Sequence, residues 1–253
     1  MLAIDRKPTY WSLTLNRPAK LNALSADLVE HLISAFDEAA AAHVPVMTLR
    51  GNGRCLSAGF DMSDYEKQSE GDLLLRFVRI EMLLHRISTS PCLTVALAHG
   101  RNFGAGVDLI AACKKRIATS DATFRMPGLQ FGLVLGTGRF ARLVGSREAQ
   151  RILETTATFD AECALRNGFI ERVAAPEEWE EVTAEAVATA MALPAHSRSL
   201  LYGVLDSEGD ADSDLAALVR SAATPGLKQR IAAYLSSTSR GARQFRFSAG
   251  DPK

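Results

Sequence analysis

The stretch Phe103-Gly104-Ala105-Gly106-Val107-Asp108-Leu109-Ile110-Ala111-Ala112-Cys113 sets a small-residue turn ahead of an apolar helical run and places one carboxylate about one turn inside it. Glycine and alanine let a ligand approach the backbone closely. The first N–H groups of a helix have no intrahelical partner and point outward into a favourable dipole. An anion cradle with an acid beside it is one reading of such a stretch. Helix packing against Gly-x-Gly is the other. A second small-residue turn, Cys55-Leu56-Ser57-Ala58-Gly59-Phe60-Asp61-Met62, lies earlier in the chain and shifts the balance. Two backbone donors converging on one oxygen can hold a developing oxyanion, each worth roughly 3–4 kcal/mol toward the transition state.

Working outward, Tyr10–Leu15 alternates like a strand and stops at Asn16-Arg17-Pro18. Ser25 is placed to cap a helix whose Leu28, Val29, Leu32, Ile33 and Phe36 share one face. Val44–Arg50 predicts a strand running into the Gly51-Asn52-Gly53 turn, and Leu93–Ala98 a buried strand after a long helix over 72–89. The strand and helix alternation continues to a strand at Phe169–Val173. From Pro176 onward only helices are expected. The expected division is an α/β core over 1–193 and a helical region over 194–253, with Ser236–Lys253 as a frayed or partner-docked tail.

Composition narrows the function classes. The chain has 253 residues, 47% hydrophobic and 23% charged, as an ordinary globular protein does. Lys plus Arg and Asp plus Glu both count 29, so no basic field draws nucleic acid or anionic lipid. Cys55, Cys92, Cys113 and Cys163 are too widely spaced for a zinc site or a disulfide framework and predict buried, reduced thiols. His31, His43, His99 and His196 lack the spacing of a metal site or a triad, and no metal is expected. No apolar run approaches a membrane span and no leader precedes Met1-Leu2-Ala3-Ile4, so a cytoplasmic protein is expected.

The motifs together resemble the crotonase (enoyl-CoA hydratase/isomerase) superfamily. The resemblance rests on Asn16-Arg17-Pro18-Ala19-Lys20-Leu21-Asn22-Ala23-Leu24, on Ser57-Ala58-Gly59-Phe60-Asp61, and on Gly104-Ala105-Gly106 about 45 residues later. Pro91, Gly132, Gly136-Thr137-Gly138, Arg142-Leu143-Val144-Gly145 and Ala161–Val173 extend it over the whole chain. It implies an α/β fold with a spiral core of ββα turns, a helical C-terminal region used in a homotrimer or dimer of trimers, and an acyl-CoA thioester as substrate with no further cofactor. It implies fatty acid metabolism as the setting.

Carried over by position, the two oxyanion donors fall on the N–H groups of Phe60 and Ala105. Ala58, Asp61 and Met62 match positions along the CoA adenine and its approach, and Ala19, Lys20 and Leu21 match a segment along the CoA phosphates and pantetheine. Lys20 can equally be a solvated loop lysine, and Asp61 a cap for the Ser63–Lys67 segment.

The resemblance places the first hydratase glutamate on Asp108 and the second on Gly128, which it also puts among the substrate-binding positions. An aspartate used by dienoyl isomerases and by the dehalogenase falls on Gly136, and the dehalogenase histidine on Arg79. Asp108 is therefore the expected single acid/base, with a cap at its helix start as the alternative. Arg79, Arg125, Gln130 and Arg139 are candidate neighbours, whereas Glu81 and His85 are expected at the surface or in packing. Leu73–Leu75, Met82, Leu83, Phe131 and Leu133–Leu135 wall an acyl pocket or simply fill the core. The stripe Leu227, Ile231, Tyr234 and Leu235 is expected to close over CoA from a neighbouring subunit, with Arg240 as the basic residue beyond it. An acyl-CoA enzyme stabilising a thioester enolate is the leading expectation. A non-catalytic acyl-CoA binder and a thioester hydrolase are the alternatives.

Overall fold

The computed structural model describes residues 1–206 and 211–247. Its strands are β1 (Leu2–Arg6), β2 (Tyr10–Leu15), β3 (Val46–Gly51), β4 (Leu93–Ala98), β5 (Arg101–Phe103), β6 (Lys115–Ala118), β7 (Thr123–Arg125), β8 (Phe159–Asp160) and β9 (Arg172–Val173). The helices are α1 (Ala26–Ala41), α2 (Glu70–Ser88), α3 (Ala105–Ala112), α4 (Thr137–Val144), α5 (Ser146–Thr155), α6 (Ala161–Arg166), α7 (Trp179–Met191), α8 (Ala195–Asp206), α9 (Ala211–Ala222) and α10 (Leu227–Phe247).

Six strands form one sheet in the order β1-β2-β3-β4-β6-β9, antiparallel between β1 and β2 and parallel thereafter. A parallel sheet covered on both faces needs near-continuous apolar strands, and all six residues of β4 are buried. A second sheet, β5-β7-β8, runs beside it. The chain visits the two in turn. It passes from β4 to β5 and then α3, and from β6 to β7 and then α4. An earlier turn leaves β3, bridges Cys55 to Gly100 and Phe60 to Leu24, and enters α2. This is the ββα spiral of the crotonase-like fold.

Local chemistry accounts for the element ends. Ser25 Oγ accepts from Leu28 N at 3.3 Å and starts α1, whose Leu28, Val29, Leu32, Ile33, Ala35, Phe36 and Ala39 are all buried. Ser69 and Asp72 form a reciprocal capping box at the start of α2. The sheet excludes Val44 and Pro45, because Pro45 has no N–H to give; its carbonyl instead accepts from Leu93 N at 2.9 Å. The strand expected over Phe169–Val173 shrinks to Arg172–Val173, because Ile170 N turns back to Ala164 O at 3.1 Å while Phe169 packs inward. Phe124, Phe140, Phe159 and Phe169 fill that region with ring centroids 5.1–6.0 Å apart.

The C-terminal stripe departs from expectation. Leu227 and Ile231 are fully buried in the core of their own chain, and α10 packs on the short Gly128–Phe131 helix. Tyr234 meets Phe131 with centroids 5.2 Å apart. The amphipathic face is thus spent within the subunit, over its own cavity. Arg240 lies outside the residues whose side chains are described, as do Ser248–Lys253 of the expected tail.

Candidate active site

The two small-residue turns meet edge to edge. A Cβ on Gly59 (φ 82°) would lie 2.4 Å from Phe103 O and 3.1 Å from Ala105 N, and one on Gly106 would lie 2.3 Å from Ser57 O. Only glycine allows that approach. Three buried polar side chains stitch the turns together. Asn22 Nδ2 donates to Asn52 O and Cys55 O, both at 2.9 Å. Ser57 Oγ donates to Asn22 O at 2.9 Å and accepts from Gly59 N at 3.1 Å. Asn102 Oδ1 accepts from Ser57 N at 3.4 Å while its amide serves the Gly100 carbonyl at 3.1 Å. Asn22 and Ser57 belong to the motifs singled out in the sequence. Asn102 is not singled out in the sequence, since the partners that tie it to the first turn and to β7 lie 45 residues away at Ser57 and 21 away at Thr123.

This stitching leaves two donors over. Leu24 N bonds to Gly59 O at 2.7 Å and Asp61 N to Leu24 O at 3.2 Å, a parallel bridge that skips Phe60 N. Ala105 opens α3, so its N–H is one of the helix's unpaired donors. Among the described residues neither N–H has a protein acceptor. Phe60 and Ala105 both line one cavity of about 210 Å³. The Phe60 ring is fixed between Phe77, stacked at 4.3 Å, and the Arg76 guanidinium at 4.1 Å, which also donates to Asp61 O at 2.8 Å.

The same cavity is bordered by Ala58, Met62, Gly104, Asp108, Gly128 and Thr137, with Phe131, Leu133, Leu135 and Tyr234 among its apolar walls. Of the expected wall residues, Leu73 and Leu83 are core, and Leu75 and Met82 face outward. Asp108 is 2% exposed and its Oδ1 has no hydrogen-bond partner. Burial, then the negative charge of Glu81, drives its carboxyl well above the ordinary range, against the pull of Arg139. It does not cap its helix with this side chain: the first residues of α3 have no side-chain cap.

Gly136 acquires a reason in this geometry. A Cβ there would stand 2.0 Å from Asp108 Oδ1 and 2.7 Å from its Cγ. The carboxyl arriving from α3 occupies the space in which a side chain on residue 136 would begin.

Of the two placements expected for Glu81, surface or packing, the structure gives the buried one. It is 2% exposed and pairs with buried Arg139 at 2.9 Å. His85, one turn further, is exposed as expected. Arg79 does not face the cavity, since its guanidinium grips the Glu30 carboxylate at the surface. Arg125 donates to Thr156 O at 3.1 Å and Gln130 to Thr156 Oγ1 at 2.6 Å, so both brace the loop after α5. Asp61 turns to its own loop, ion-paired with Arg17 at 2.9 Å and accepting from Ser63 N at 3.0 Å. Ala19, Lys20 and Leu21 lie at the short helix Pro18–Lys20, outside the cavity wall, with Lys20 Nζ 3.2 Å from Ser63 Oγ. Cys55, Cys92 and Cys113 are buried as small hydrophobes, and burial pushes the Cys113 thiol up to about 12.

Residues 6–219 match the family model described as Enoyl-CoA hydratase/isomerase. The chain belongs to the enoyl-CoA hydratase/isomerase family. Among its relatives in this family, a Bacillus subtilis protein named "Probable enoyl-CoA hydratase" is 32% identical over 210 residues, covering 81% of this chain and 80% of its own. A crystal structure from Bordetella parapertussis, assigned provisionally as enoyl-CoA hydratase/isomerase, is 57% identical with a TM-score of 0.91, covering 92% of this chain and 98% of its own. At 22% identity, the Bacillus halodurans enoyl-CoA hydratase still superposes with a TM-score of 0.79, which is agreement in fold. No helix among the described residues is long and apolar enough to cross a membrane.

Proposed function

We propose that the cavity is the catalytic site of an acyl-CoA enzyme in which the Phe60 and Ala105 N–H groups form an oxyanion hole for the thioester oxygen and Asp108 moves a proton on the acyl chain. One observation carries the reading: two unpaired backbone donors and one unpaired carboxyl oxygen border the same small apolar cavity. Withdrawal of the α-proton spreads charge onto the thioester oxygen, where preorganised donors are each worth roughly 3–4 kcal/mol. Hydration divides its work between two carboxylates, one for water and one for the α-carbon. Here Gly128 and Gly136 bring none, and Asp108 serves alone. A double-bond shift suits a single carboxyl, which takes the proton from one carbon and returns it to another. Isomerisation is therefore the favoured reaction, with hydration behind it.

CoA runs past Ala58 and Met62, which border the cavity, and along Ala19-Lys20-Leu21, where Lys20 is the cation placed for phosphate. Asp61 takes part through its backbone, since its carboxylate is engaged by Arg17. Residues 1–193 serve as the catalytic spiral and 194–253 as the assembly region of a homotrimer or dimer of trimers. Exposed Leu200, Leu201 and Leu205 on α8, beside a second cavity of about 540 Å³ that Leu193, Leu201 and Leu205 help line, support a partner copy there. A cytoplasmic setting in acyl-CoA metabolism fits this substrate.

The test supplies 3-enoyl-CoA and 2-enoyl-CoA esters of graded length to wild type and Asp108→Asn. Gain of conjugated enoyl-thioester absorbance from the 3-enoyl esters, lost in the variant, is expected. Loss of absorbance from the 2-enoyl esters instead would establish hydration, and thiol release would establish hydrolysis. Esters that raise the melting temperature without turnover at any length would make the protein a binder and sink the enzymatic reading.

A further inference from the structure

Asp108 does not stand alone behind the cavity wall. The charges of Glu81 on α2, Arg139 on α4 and Asp214 on α9 act on it, and Arg142 on α4 pairs with Asp214. Arg139 Nη2 lies 2.9 Å from Glu81 Oε1 and 4.0 Å from Asp214 Oδ2, and Arg142 Nη2 lies 3.4 Å from the same Asp214 oxygen. Asp108, Glu81 and Arg139 are each more than nine-tenths buried. The turn that starts α4 seats two of the carboxylates. A Cβ on Gly136 would collide with Asp108 Oδ1, and one on Gly138 would lie 2.4 Å from Asp214 Oδ1. Glycine at 136 leaves room for the Asp108 carboxyl, and glycine at 138 leaves room for that of Asp214.

Ionised throughout, the group would hold three carboxylates against the two guanidinium ions of Arg139 and Arg142. Arg142 is the most solvated of the five. A buried excess of one negative charge is costly, and the cluster becomes neutral when one acid holds a proton. Glu81 and Asp214 each have a guanidinium partner, whereas Asp108 has no ion pair; Oδ1 of Asp108 and Oε2 of Glu81 both lack a hydrogen-bond partner. The proton that the cluster takes up as pH falls therefore goes to Asp108, which is free to accept one from substrate above that midpoint.

We propose that Glu81 and Asp214 are positioning residues for Asp108: they engage Arg139 Nη2 in their own ion pairs, offset its charge there, and so make Asp108 the proton-carrying carboxyl of the cluster. The location of the proton follows from the charge arrangement alone. The consequence for turnover rests on the catalytic reading of Asp108 given above.

Infrared titration of the full-length protein tests the location directly. The protonated-carboxyl band that disappears in Asp108→Asn is followed against pH in wild type, Glu81→Gln, Glu81→Asp and Asp214→Asn. Removing the Glu81 charge frees Arg139 and should move the Asp108 midpoint to lower pH, whereas Glu81→Asp, which keeps the charge, should stay near wild type. Asp214→Asn, at a less buried position, should move it in the same direction and serves if Glu81→Gln fails to fold. The acid limb of the pH–rate profile should follow the infrared midpoint with KM unchanged. A midpoint indifferent to both neutral substitutions, or a wild-type Asp108 ionised across the accessible pH range, overturns the proposal. Absence of any turnover with the infrared shift intact would instead remove only the catalytic reading.

Discussion

Gly136→Ala applies the smallest perturbation to the candidate acid without touching it. The new methyl would stand 2.0 Å from Asp108 Oδ1, and side-chain carbons do not approach a neighbour closer than 3.0 Å. The carboxyl must therefore retreat by about 1 Å, and a displacement of that size at a reacting group costs on the order of 100-fold in rate. In barrier terms this is about 2.7 kcal/mol. Alanine must also adopt φ of 61° at this position, which costs roughly 1–2 kcal/mol of folding free energy. For a chain of this size that corresponds to a fall in Tm of about 2–8 °C.

The assay pairs steady-state isomerisation with thermal denaturation in the presence and absence of a CoA ester. Because Phe60 and Ala105 are not displaced, the ester should still protect, by about 2.7 kcal/mol at 100 times its dissociation constant. The expected result is a lowered kcat, a modest loss of Tm and retained ligand protection. A variant that loses Tm as calculated yet keeps its wild-type kcat would refute the reasoning, because the carboxyl would have moved without consequence for the chemistry.

Asp108→Asn should cost about 10²–10⁴-fold in rate and yet stabilise the fold at higher pH. The folded-state pKa of Asp108 is raised, so its contribution to stability is present below the unfolded carboxylate value near ~3.9 and is lost as pH rises through the folded value. Tm of the variant should match wild type in acid and exceed it increasingly toward neutral pH; a difference that stays flat with pH would count against a buried neutral acid. Arg139→Leu strands Glu81 without its partner and should cost about 3–5 kcal/mol, most of which Glu81→Leu in the same chain should restore, as denaturant titrations can measure. Tyr234→Ala removes the ring that meets Phe131 over the cavity, at a cost of about 1 kcal/mol from the ring pair, and should raise kcat/KM for longer or bulkier acyl groups relative to short ones.

Much of the fold is written locally. Ser25 caps α1 because its hydroxyl can reach Leu28 N, and that geometry needs four consecutive residues and nothing else. The apolar run Leu93–Ala98 becomes a central strand, with all six residues buried between covered faces of a parallel sheet. The two turns are legible for the same reason: Gly59 and Gly106 mark places where another backbone must approach. Legibility fails where a residue's meaning lies in a distant partner. Glu81 sits on a helix whose outer face carries Arg79, Met82 and His85, and periodicity does not announce an ion pair with Arg139, 58 residues on. The stripe of α10 is likewise visible as a stripe, but whether it covers its own cavity or a neighbour's depends on the turn at Pro225-Gly226, where Glu70 accepts from Gly226 N at 3.3 Å and Lys228 N at 3.2 Å and draws the helix back onto its own chain.

Gly136 joins both halves of that argument. Taken alone in the sequence it counts as a missing carboxylate and weakens any assignment of proton chemistry. In the fold it is the reason Asp108 can be where it is, since any side chain at 136 would contest the space that the α3 carboxyl already fills. A side chain at 136 and the Asp108 carboxyl in its present position claim the same space, so one of them must move for both to be present. Gly138 repeats the relation with Asp214 two residues later, so the turn gives up two side chains of its own and receives two carboxylates from α3 and α9. A glycine pair at the start of a helix would ordinarily be assigned to backbone freedom. Here the deciding fact is what stands opposite each missing Cβ: the Asp108 carboxyl at 136 and the Asp214 carboxyl at 138.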